Sequence, residues 1–144
     1  MNLEILERIA KEEIDKHLNS LPDGKHPLGY KVEPGWTFKW IRATRTLGRC
    51  KYRDKTIRIS KAYASINDEA RMRNTLMHEI AHAVAGWQAK HGYNWIKTAK
   101  ALGCNGQRLT NSMDDRLSLV SPPRKIRGAV DYSSYNYRRV VEGF

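Results

Sequence analysis

The chain has 144 residues, 40% of them hydrophobic, and 26 Lys and Arg against 15 Asp and Glu give a formal net charge of +11. That length suits one compact domain with a real core rather than two. No apolar run approaches the roughly 20 residues that span a bilayer, the acidic opening "MNLEILERIAKEEIDKH" is no secretory signal, and Cys50 and Cys104 make no disulfide framework. A cytoplasmic, non-secreted protein with no membrane partner is expected.

Leu3, Ile5, Leu6, Ile9, Ile14 and Leu18 recur at near-helical spacing and predict an amphipathic helix over 2–20. "LPDGKHPLG" ends it in a loop. From Trp36 to Ser60 the texture turns aromatic and β-branched, which predicts a strand, a glycine turn at Gly48 and a hairpin turning near Arg53-Asp54-Lys55. Asn67 or Asp68 caps the next helix, which runs to about Trp87, and "YNWIKTAKALG" makes another that ends at Gly103. The fold class is α+β, a small antiparallel sheet packed on helices. One domain is expected over 1–144: an N-terminal helix and loop in 1–35, a core in 36–104 and a basic C-terminal extension in 105–144.

The central helix carries "HEIAH". On a helix His78 and His82 lie one turn apart on one face, so both imidazoles can reach one metal ion. Glu79 projects off that axis, where it can take a proton from water instead of ligating. A catalytic zinc needs a third protein ligand and an open position, and His91 is the best candidate because Gly86 and Gly92 let the chain fold back. Alanines at 81, 83 and 85 leave room around such a site. Zn2+ is the expected cofactor, although three imidazoles also accept cobalt, nickel or manganese. A metzincin would need Gly at 85 and His at 88; Ala85 and Gln88 exclude that class. His17 and His26 read as surface residues.

The positive charge is concentrated. Lys39, Arg42, Arg45, Arg49, Lys51, Arg53, Lys55, Arg58 and Lys61 face only Asp54 within one short stretch, a pattern that attracts polyanions, nucleic acid foremost. Trp36, Phe38, Trp40, Tyr52 and Tyr63 interleave with them and could stack bases of single-stranded DNA or fill the core. Trp40 is assigned to the core and Trp36 is left open. In the tail, Tyr132, Tyr135, Tyr137, Arg138 and Arg139 are placed for packing or for a second electrophile at the site.

The run from Leu47 to Gly103 resembles the SprT-like (Spartan-type) zinc metalloprotease domain. The matching pieces are Trp40, Gly48-Arg49-Cys50, Ile57-Arg58-Ile59-Ser60, His78-Glu79-Ile80-Ala81-His82 and His91-Gly92-Tyr93-Asn94-Trp95. The resemblance covers about residues 36–103. It implies a minimal, gluzincin-like zincin core, His78, His82 and His91 as zinc ligands, Glu79 as catalytic base, and hydrolysis of peptide bonds in proteins associated with DNA. The chain departs from many relatives in lacking the four-cysteine ribbon, since only Cys104 follows His91. The expected protein is a monomeric zinc metallopeptidase acting on a protein substrate, with single-stranded DNA as a partner. The alternative is a nucleic-acid-binding module whose zinc is structural or vestigial.

Overall fold

The computed structural model describes residues 1–107. The tail residues singled out above, and nearly all of the 105–144 extension, lie outside the described residues.

Helix α1, Leu3–Ile14, starts where the Asn2 side chain accepts the backbone N–H groups of Glu4 and Ile5. Leu6, Ala10 and Ile14, each four residues on, make its buried stripe. The helix continues through a wider π-type turn over Asp15–Asn19 that buries Leu18. There Asn19 clamps the chain returning toward the sheet. Its Oδ1 accepts from the backbone N–H of Gly35 at 3.0 Å and of Trp36 at 2.9 Å, and its Nδ2 donates to the Trp36 carbonyl at 2.9 Å.

The sheet has three strands: β1 Thr37–Ile41, β2 Gly48–Lys51 and β3 Thr56–Ser60, in the spatial order β1-β3-β2. β2 and β3 form the expected antiparallel hairpin, with Lys55 at φ 52° in its turn. β1 runs parallel to β3, so the sheet is mixed rather than wholly antiparallel. The cause is β2, which takes the outer edge and returns the chain between the first two strands. Gly48 is accordingly the first residue of β2, not a turn.

Ser60 ends β3 and caps a short helix that the sequence reading did not anticipate, α2 Lys61–Ile66: its hydroxyl accepts from Tyr63 N–H and donates to the Ala43 carbonyl at 2.6 Å. Helix α3, Glu69–Ala85, is capped by Asp68 and is buried almost continuously from Thr75 to Val84. It stops at Gly86, whose φ of 92° only glycine adopts readily, so it falls short of Trp87. A single 3-10 turn, Trp87–Ala89, leads to α4, Tyr93–Ala101.

The helices lie on one face of the sheet. One cluster joins α1, α3, α4 and the inward residues Cys50 and Ile57; a second joins Leu6, Leu47, Ile59, Tyr63, Ala64 and Met72. The α+β expectation is borne out. Among the described residues no helix is long and apolar enough to cross a membrane.

Candidate metal centre

Helix α3 passes through the middle of the core, and its second half presents His78 and His82 from one side, one turn apart. His91 arrives from the segment beyond Gly86. A tight turn closed by Gly92 N–H donating to the Ala89 carbonyl at 2.8 Å aims it back at the helix. Its Nε2 stands 3.1 Å from that of His82 and 3.3 Å from that of His78. The three residues each offer one ligand atom within 4.8 Å of the others, and they are the one group of this kind among the described residues.

Those distances fit a cation. Zinc–imidazole bonds of about 2.0–2.1 Å at tetrahedral angles place ligand nitrogens about 3.3 Å apart. The protonation states fit as well. Burial holds His78 well below the ordinary histidine value, and holds His82 down at about 3, with the neighbouring imidazoles adding to both. Neutral rings are the ligand form. Beneath the cluster, fully buried Trp95 contacts all three rings at centroid distances of 4.5, 5.2 and 4.8 Å, and its indole N–H donates to the His78 carbonyl at 3.3 Å. Sequence reasoning quoted Trp95 as part of a motif without giving it this role; its signal was its place in the first turn of α4, just after His91 and Gly92.

Glu79 lies between α3 and the sheet. It is fully buried, and neither carboxylate oxygen has a hydrogen-bond partner among the described residues. Burial raises its pKa well above the usual carboxylate value, and the Arg49 charge offsets this only in part. An orphaned buried carboxyl costs several kcal/mol in ordinary packing, so a position that keeps one calls for chemistry. Cys50 faces the same space from β2; burial, then the nearby Glu79 charge, pushes its thiol up, away from the reactive thiolate form.

The basic residues go elsewhere. Strand alternation turns Gly48 and Cys50 toward α3, and thereby Arg49 to the opposite face. Register then sets Lys39, Arg58 and Arg49 side by side across all three strands. Arg58 and Lys51 reach Asp54 at 3.4 and 3.7 Å, and Lys55 reaches Glu33 at 3.5 Å. Arg53 is exposed in the hairpin turn, and Arg42 and Arg45 are exposed between β1 and β2. None of these eight joins the histidine cluster.

The aromatics expected to interleave with them turn inward. Trp36 and Tyr63 are buried, Phe38 and Trp40 pack on the second cluster, and Trp40 Nε1 donates to Glu7 at 2.8 Å. Nor are His17 and His26 surface residues. His26 is buried, His17 is half-buried, and their rings meet at 3.0 Å between Nδ1 and Nε2.

No curated protein and no solved structure matches the chain significantly. The sequence profile of the SprT-like family does, over residues 12–115, a span that holds the whole histidine cluster, Glu79, Trp95 and the three-stranded sheet. With its profile covering more than two thirds of the 144 residues, the chain belongs to the SprT-like family.

Proposed function

We propose that the protein is a zinc-dependent metallopeptidase, with His78, His82 and His91 holding the metal and Glu79 acting as general base. The observation that carries this reading is the pairing of a three-imidazole cradle with a buried, unpartnered carboxyl on the adjacent residue. Zinc bound there would polarise a peptide carbonyl and acidify water. The Glu79 carboxylate would accept the proton as water attacks, then deliver it to the departing amide nitrogen. Trp95 holds the imidazoles in orientation and walls the cradle off from the core behind it.

The substrate backbone has a place in this scheme. Ser60 N–H donates to the Leu47 carbonyl across the hairpin, so by antiparallel alternation Gly48 and Cys50 direct their N–H and C=O groups away from β3, along the edge of β2 that pairs with no strand among the described residues. An extended peptide can add there as a further strand, which favours flexible protein segments as substrates.

A second reading, nucleic-acid contact, is supported by the row of Lys39, Arg58 and Arg49. Three cations aligned across a sheet repel one another, and phosphates would relieve that. The row lies on the opposite sheet face from the cradle, so such contact would tether the enzyme near DNA-associated proteins rather than enter the site. The alternative of a binding module with structural or vestigial zinc rests on this same row.

The test is a paired incubation of zinc-loaded wild type and Glu79→Gln with a flexible, lysine- and arginine-rich protein, with and without single-stranded DNA. Cleavage by wild type alone is expected, since the amide cannot take the proton. Salt-dependent DNA binding by both proteins with cleavage by neither would favour the binding module instead.

A further inference from the structure

We propose that Gly48 is a positioning residue for Glu79: the absent side chain on β2 fixes where the carboxylate sits. Gly48 is buried and extended, with no positive φ, so its identity is not required by backbone conformation. What requires it is space. A Cβ built at residue 48 would stand 3.3 Å from both Cγ and Oε2 of Glu79, and 3.1 Å from the Arg58 carbonyl oxygen on β3. Both contacts are tighter than ordinary van der Waals approach.

Which neighbour yields is decided by how each is held. The Arg58 carbonyl belongs to the central strand, paired on both sides, to Lys39 of β1 and Arg49 of β2. The Glu79 carboxylate has no hydrogen bond among the described residues to keep it in place. Among the described residues packing alone seats it, and the floor of that seat is the bare Cα of Gly48. An added methyl group moves the carboxylate and leaves the histidines, which the neighbouring turns of α3 and the segment after Gly86 carry, where they are.

The catalytic consequence rests on the reading of Glu79 as base, but the steric coupling does not. The experiment is a double-substitution cycle of Gly48→Ala with Glu79→Asp, whose shorter side chain vacates the contested space. In the zinc-free full-length protein, Gly48→Ala is expected to lower Tm by about 4 °C, the scale of a modest overpacking in a domain of this size. In the Glu79→Asp background the same change should cost measurably less, the remainder coming from the Arg58 carbonyl contact that both backgrounds keep.

With zinc, Gly48→Ala should keep the affinity for Zn2+ and the KM on the basic protein within threefold, and lower kcat about tenfold, since misplacements below 1 Å suffice. Equal Tm losses in the two backgrounds would overturn the proposal, by showing that the strand rather than Glu79 gives way. So would loss of zinc affinity in parallel with Tm. If no variant cleaves anything, the peptidase reading fails while the Tm cycle still decides the role of Gly48.

Discussion

At the scale of single residues, the site depends on side chains held where they cost stability. Glu79 is one, and Lys90 is another. Lys90 occupies the first central position of the turn from Ala89 to Gly92, at φ 48° and ψ −125°. That is the type II′ geometry that glycine dominates. An L side chain there is strained, and the strained residue immediately precedes the ligand His91. Because Lys90 is exposed, Lys90→Gly loses little contact and should stabilise the metal-free protein by about 1 kcal/mol, read as a higher urea midpoint. A lowered midpoint would mean that the lysine side chain holds the turn. The sequence made His78, Glu79 and His82 legible because a helical repeat fixes their mutual position locally. It could only nominate His91, which reaches the others through two glycine-flanked turns. The role of Gly48 was hidden, since the contact with Glu79 exists only once a strand packs on α3.

Among elements, the joint between α1 and the following loop is a histidine pair. Leu28 N–H donates to His26 Nδ1 at 3.1 Å, so His26 carries its proton on Nε2 and donates to His17 Nδ1. The His17 Nε2–H then faces Glu13 at 3.6 Å. Burial holds both rings below the ordinary value of 6.5, with Glu13 only partly opposing the effect at His17. Below about pH 6.5 the unfolded chain binds protons that the folded one refuses, so stability falls as pH falls. The urea midpoint of the zinc-free protein should therefore drop between pH 7.5 and 5, and drop less steeply in a His17→Gln, His26→Gln double variant. His78 and His82 contribute alike to both proteins and cancel in the comparison. Equal slopes would show that the pair does not titrate as a buried couple. The long helices α1, α3 and α4 were legible from their periodicity and caps, and the hairpin strands from their β-branched texture; the short α2 was not. The parallel partnership of β1 with β3 was not, because alternation gives each strand's faces and says nothing of spatial order. The same limit explains the aromatics: Phe38 and Trp40 are spaced two apart and share a face, but which face meets the helices is a tertiary fact.

For the molecule as a whole, the arrangement separates two surfaces. The cradle and Glu79 lie on the helical side of the sheet; the row of Lys39, Arg58 and Arg49 lies on the other. A nucleic acid on that row and a protein substrate along β2 would not compete for space. The central claim concerns the cradle: three imidazoles bind the metal, and Glu79 stands beside it without ligating. Isothermal titration of the metal-free full-length protein with Zn2+, for wild type and Glu79→Gln side by side, tests it most directly. The account predicts one zinc per chain in both, with affinities within about tenfold, and loss of binding in His91→Ala. Zinc bound by wild type but not by Glu79→Gln would make the carboxylate a ligand and contradict its assignment as the base.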